Sequence, residues 1–204
     1  MATSQAFLDG VKARRSIHQN TDKEILGQDE LITPVSDTIK YSPSAFNSQS
    51  SRAIILLGKA HKNYWNEFVP QNLGENQLKA VQKRLPWFAA AQGTVIFFED
   101  KKVIDEYRGG ASAFSHLWDD WSNQASGMAQ INLWTALEAE GYGVNLQHVA
   151  PMAGEGFKPM FNAALKVPSG WIVQAELVFG YPDQKDLKVK TFIEDSERFR
   201  VDGA

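Results

Sequence analysis

Three short apolar runs set the strongest limit on what this chain can fold into. AIILLG (53–58), TVIFFED (94–100) and WIVQAELVFG (171–180) have strand length and are rich in β-branched and aromatic residues, which is the composition of strands buried in a sheet. The segments between them are too long for hairpin turns, so helices must fill the gaps. Helices and strands mixed in this way predict an α+β or α/β sandwich whose sheet is covered on both faces.

The intervening segments carry helical periodicity. Phe7, Leu8 and Val11 share one face of a helix that runs out near Arg14-Arg15-Ser16. In DELITPVSDTIKYS, Leu31, Val35 and Ile39 recur every four residues, with Pro34 among them. Either the helix kinks at Pro34, or Thr33 caps a new helix with Pro34 in its first turn. SNQASGMAQINLWTALEAEGYG reads as a long helix stopped at Gly141, with Met128, Ile131, Trp134 and Leu137 as its apolar stripe. Ala125, Gly127 and Ala129 near its front admit a close neighbour, either a packed helix or a ligand. No repeat or linker divides the chain, and 204 residues are enough for one well-buried domain spanning 1–204.

Composition removes several classes of function. Lys plus Arg at 21 against Asp plus Glu at 24 gives a net charge of −3, without the basic field that draws nucleic acid or an anionic membrane. The absence of cysteine excludes disulfide frameworks, thiolate nucleophiles and cysteine-based metal sites. No run approaches the ~18 apolar residues of a membrane span, and MATSQAFLDGVKARRS lacks the apolar core of a signal peptide, so a soluble cytoplasmic protein is expected. His18, His61, His116 and His148 have no metal-ligand spacing, and neither HExxH nor Gly-x-Ser-x-Gly occurs. There is no GxxxxGK[ST] loop, and Gly141-Tyr142-Gly143 follows a helix rather than a strand, so a Rossmann phosphate turn is absent. Asp119-Asp120 and Glu138/Glu140 are too close in sequence to face one another on a helix and read as solvated positions.

Two features remain. YSPSAFNSQSSR (41–52) concentrates small neutral polar residues, either as a surface loop or as a cradle for the edge of a flat polar ligand. Basic clusters lie near both ends of the chain: Lys12, Arg14 and Arg15 before Ser16, and Lys185, Lys188 and Lys190 in QKDLKVKTF. Alternation in a strand would place Lys188 and Lys190 on one face, either as solvated edge residues or as a phosphate site.

ARRSI (13–17), SPSAFNSQ (42–49), GMAQINLWTALEAEGYGVNLQH (127–148) and the C-terminal Lys-x-Lys, in that order over nearly the whole chain, resemble the FMN-dependent nitroreductase family, most closely its compact bacterial and fungal branch. The resemblance implies an α+β, nitroreductase-like α/β/α sandwich with a central, mainly antiparallel sheet. It also implies a homodimer with FMN at each end of the subunit interface. NADH or NADPH would be the electron donor, and a nitroaromatic, quinone or similar small electrophile would take electrons in a ping-pong cycle. By resemblance, Arg14, Arg15, Ser16, Lys188 and Lys190 hold the FMN phosphate and ribityl chain. Ser44, Asn47 and Gln49 bond the pyrimidine edge, and Leu146, Gln147 and His148 form a second wall near the reactive nitrogen. GEGF (154–157) competes for that last role. His18 stands where some relatives carry a lysine, and it supplies positive charge only when protonated. No residue is assigned as catalytic acid, base or nucleophile. The same cofactor residues would serve reductive dehalogenation or flavin breakdown, for which only the 59–93 region could provide a lid, or a non-catalytic flavin-binding regulator.

Overall fold

The computed structural model describes residues 4–110, 112–154 and 157–203, without the side chains of 112 and 157–160. The three apolar runs form strands β2 (Ser51–Leu57), β3 (Gly93–Asp100) and β5 (Trp171–Pro182). β3 lies between the other two and pairs antiparallel with each. β5 also pairs antiparallel with the short β1 (Asn20–Thr21) and with β4 (Gly143–Gln147).

Alternation along these strands makes two cores. Val95, Phe97, Leu177 and Phe179 point to one face of the sheet, and Ile96, Phe98 and Val178 to the other. A register shift between Phe97 and Phe98 lets Val173 join the second group. The first face is covered by α2 (Gln28–Tyr41) and α8 (Trp118–Ala139). The second is covered by a helical run comprising α3 (Gly58–Asn63), a π-helical turn at Tyr64–Phe68, α4 (Val69–Asn72), α5 (Glu75–Val81) and α6 (Leu85–Ala89), together with α9 (Val149–Met152) and α10 (Phe157–Leu165). Helices α1 (Ser4–Ala13) and α7 (Lys101–Gly110) pack at the ends of α8. The α/β/α sandwich and its mainly antiparallel sheet agree with the expectation.

Four local readings are refined. Pro34 lies inside one helix that begins at Gln28, so no new helix starts at Thr33. Buried Leu31 and Val35 on either side of it anchor that helix to the sheet. On α8 the buried stripe is Ser122, Ala125, Ser126, Ala129, Leu133 and Leu137, the three-and-four spacing of a true helical face. Met128 and Ile131 are instead 38% exposed each, because strict three-residue spacing drifts around a helix of 3.6 residues per turn. Ala129 packs in the core against the sheet and Ala125 is buried, whereas Gly127 is exposed and a Cβ there would meet nothing within 4 Å. The 59–93 region is a helical layer whose inner face is buried: Tyr64, Trp65, Val69, Val81, Leu85 and Phe88 fill one core.

Candidate functional site

The chain leaves α1 at Arg14, whose amide still bonds Gly10 O at 3.0 Å, and then runs beside β4. Ser16 bridges Val144 in parallel, and the Ile17 amide donates to Val144 O at 2.9 Å. The C-terminal half of α8 is the platform for this turn. The Arg15 amide donates to both carboxylate oxygens of Glu138, at 3.0 and 2.9 Å. The Trp134 indole N–H donates to Glu138 Oε1 at 2.9 Å, and the Arg14 guanidinium stacks over the Trp134 ring at 4.4 Å. Glu138 is therefore not on a solvated face: it is half-buried, and burial raises its carboxyl while the Arg15 amide and Trp134 oppose that rise. Its partner lies 123 residues away in the chain, which is why local spacing gave no sign of it.

The C-terminal tail returns to the same turn. Residues 183–194 form no strand, so Lys188 and Lys190 are not set by alternation. Tethers fix them instead. The Asp183 amide donates to Gln19 O at 3.0 Å and the His18 amide to Gln184 Oε1 at 2.8 Å. The Arg15 guanidinium donates to Lys188 O, and the Lys190 ammonium to Lys12 O. An open cleft of about 490 Å³ results, lined by Arg14, Arg15, Ser16, His18, Lys188 and Lys190, with Asp186 as its carboxylate. Neither the Arg14 guanidinium nor the Lys188 ammonium is hydrogen-bonded to a carboxylate among the described residues, and with Asp186 and the nearby Glu138 set against Arg14, Arg15, Lys188 and Lys190 the cleft keeps a net positive field. His18 is half-buried there, with its Nδ1 buried and unpartnered. Burial, and then the nearby Arg84, lower its pKa, so it offers a neutral imidazole rather than a charge at pH 7.

The small polar stretch divides in two. Ser50 and Ser51 donate to the buried Glu99 on β3, at 2.5 and 2.6 Å, and so serve the sheet. Residues 44–49 stay open: the Gln49 amide donates to Ser44 Oγ at 2.9 Å, and Asn47 and Gln49 are exposed with φ of 54° and 53°. Phe46, also at positive φ and 64% exposed, is held by Phe114, Trp118 and Trp121 with ring centroids 5.8–6.2 Å away. Non-glycine residues persist in this strained region only where their surroundings hold them.

NLQH, read from sequence only as a segment over the flavin, begins as strand β4. Gln147 is buried and donates to Asn145 Oδ1 at 2.9 Å, and Asn145 donates to Ile17 O at 2.7 Å, tying this strand to the basic turn. Leu146 is half-buried and His148 exposed. Of the competing GEGF segment, residues 155 and 156 lie outside the described residues.

Arg14, Arg15, Ser16, Lys188 and Lys190 thus share one cleft, bonded through Ile17 to the start of the Leu146–His148 segment. Ser44, Asn47 and Gln49 stand elsewhere. Their loop meets α8 through Phe46 at Trp118 and Trp121, and its first residue Ser42 accepts from Asn132 at 3.0 Å, whereas the basic turn meets the helix at Trp134 and Glu138. At 1.5 Å per residue, the Phe46 contacts lie roughly 20 Å along the helix from those of the basic turn, while the Ser42 contact lies within a turn of Trp134.

Residues 11–181 match the model of the nitroreductase family. HBN1 of Saccharomyces cerevisiae is 38% identical over 189 residues, covering 89% of this chain and 91% of that protein. The nitroreductase FRM2 of the same yeast is 32% identical over 200 residues, covering 95% and 96%. Among solved structures, nitroreductase CinD from Lactococcus lactis in complex with chloramphenicol superimposes with a TM-score of 0.84 at 32% identity, covering 96% of this chain and 98% of that one. With matches that span the basic turn, the polar loop and the sheet, the chain belongs to the nitroreductase family.

Proposed function

We propose that the protein is an FMN-dependent NAD(P)H oxidoreductase that reduces nitroaromatics, quinones or similar electrophiles by a ping-pong two-electron cycle, as a homodimer. The observation that carries this reading is the meeting of both chain ends in one cationic cleft that also holds a buried, unpartnered imidazole nitrogen. That donor set fits a phosphate ester: Arg14 and Arg15 offer guanidinium forks, Lys188 and Lys190 point charges, and Ser16 a hydroxyl. Bound FMN would supply the hydride chemistry. Leu146, Gln147 and His148 would shield one face, and Ser44, Asn47 and Gln49 would satisfy the pyrimidine edge with amide and hydroxyl groups.

Two copies of the chain account for the spacing along α8. In a single chain Ser44, Asn47 and Gln49 do not line the cleft, and Phe46 meets α8 roughly 20 Å along the helix from the basic turn, so the loop of one copy would complete the site of the other. Exposed apolar residues on α1 (Phe7, Leu8, Val11), on α8 (Met128, Ile131) and in the tail (Val189, Phe192, Ile193) favour such an interface. CinD has been solved in complex with 4-nitrophenol, which supports a nitroaromatic acceptor here. The inner face of the 59–93 region is anchored in the core through Tyr64, Trp65 and Phe88, which weighs against the lid that the dehalogenating reading needs.

One flavin face serving both substrates requires parallel double-reciprocal plots against NAD(P)H at several acceptor concentrations. Intersecting lines would contradict the shared face. Absence of any flavin reduction by NADH or NADPH would instead support the regulatory alternative.

A further inference from the structure

Glu176 is a charged residue type in the middle of β5, fully buried on the face covered by the 58–89 helical layer. Its oxygens accept from the Ala150 amide at 2.7 Å, the Tyr64 hydroxyl at 2.9 Å and the Val149 amide at 3.1 Å. Across the sheet it stands opposite Gln147 of β4 and Ile96 of β3. Two of its three donors are thus the main-chain amides that directly follow Leu146, Gln147 and His148. A carboxylate in an apolar layer is unfavourable unless its lone pairs are met, and here the main chain meets them.

We propose that Glu176 is a positioning residue of the flavin site: its carboxylate fixes the main chain at Val149 and Ala150, and with it Leu146, Gln147 and His148, so that cofactor affinity follows the ionisation of a group the cofactor never touches. This rests on the reading of residues 146–148 as a flavin wall. Burial pushes the Glu176 carboxyl up to about 7, against the pull of the Ala150 amide, Tyr64 and the Val149 amide. Among the described residues, Tyr64 is the ionisable side chain bonded to it, and its phenol is itself raised by burial and by Glu176. The other neighbours are the uncharged Gln147 and Ile96, with His148 exposed beyond the turn. On protonation the acid has one acceptor oxygen fewer for its three donors, so the turn loosens near neutral pH.

The test uses the full chain. In ¹⁵N-labelled apoprotein, the Val149 and Ala150 amide protons should titrate together near pH 7, and Glu176→Gln should abolish that transition. The ratio of FMN dissociation constants, Glu176→Gln over wild type, should rise from near one at pH 6 to about tenfold at pH 8. Tyr64→Phe removes one donor and should move the amide transition to higher pH, a readout that stands even if Glu176→Gln fails to fold. No amide transition in the wild type, or a ratio that does not vary with pH, overturns the proposal. Gln147→Ala with FMN affinity unchanged would remove the wall reading, and the proposal with it, while leaving the amide transition intact.

Discussion

Glu176 and His61 make opposite demands on pH, and removing one should uncover the other. Both are fully buried. Burial takes the Glu176 carboxyl from an ordinary 4.5 up to about 7 and the His61 imidazole from 6.5 down to about 4. Between pH 4.5 and 7 the unfolded chain has released the Glu176 proton that the folded chain keeps. Stability therefore falls as pH rises, by roughly 1.4 kcal/mol per unit and about 3 kcal/mol in all. Between pH 4 and 6.5 the unfolded chain binds a His61 proton that the folded chain refuses, so this contribution rises with pH at a similar slope. Where the windows overlap, the unfolded chain holds one proton more at His61 and one fewer at Glu176, and the pair is nearly silent. Glu176→Gln breaks the balance. Variant stability minus wild-type stability should climb by about 1.4 kcal/mol per pH unit until about pH 7 and then level. For a chain of this size that corresponds to about 3–6 °C in thermal midpoint per pH unit. Urea unfolding of both apoproteins at half-unit steps from pH 5 to 8 measures the difference. A constant offset across that range would refute a Glu176 that titrates near neutrality.

Glu138→Ala frees the Arg15 amide and leaves the Trp134 indole only its longer bond to Arg15 O, and should weaken FMN about tenfold by fluorescence titration; unchanged affinity would make the platform irrelevant to the site. Gly143→Ala puts a Cβ 2.2 Å from Asn20 Oδ1, 2.8 Å from Ile17 Cγ2 and 3.0 Å from Pro182 Cβ, and should cost about 1–3 kcal/mol in urea unfolding. Phe46→Ala should raise KM for nicotinamide and acceptor together, severalfold each, in steady-state assays; an effect on only one would separate their sites.

The strands were legible because burial on both faces leaves near-continuous apolar runs, as in TVIFFED. Strand β4 was not, because its buried Asn145 and Gln147 look like loop residues until their partners, Ile17 O and each other, are known. The same reason hid Glu138 and Glu176: each is a charged residue in a helix or strand whose burial depends on contacts distant in sequence. The basic clusters could be named from composition, but not the tethers that join them. Those run through main-chain groups, the carbonyls of Lys12 and Lys188 among them, about which side-chain type says nothing. On α8 the three-and-four spacing of Ser122, Ala125, Ser126, Ala129, Leu133 and Leu137 marks the buried face, which a search for large residues alone misses because four of the six are Ala or Ser.

The central claim is that both ends of this chain close on the phosphate of FMN. Comparing FMN with riboflavin in calorimetric titrations of the apoprotein tests it most directly, since the two ligands differ only in the group the cleft would hold. Wild type should prefer FMN, and Arg14→Ala, or Lys188→Ala combined with Lys190→Ala, should weaken FMN by about 10- to 150-fold while leaving riboflavin nearly unchanged, the range expected for one charge-assisted hydrogen bond. Equal affinities in the wild type, or equal losses for both ligands in the variants, would contradict it.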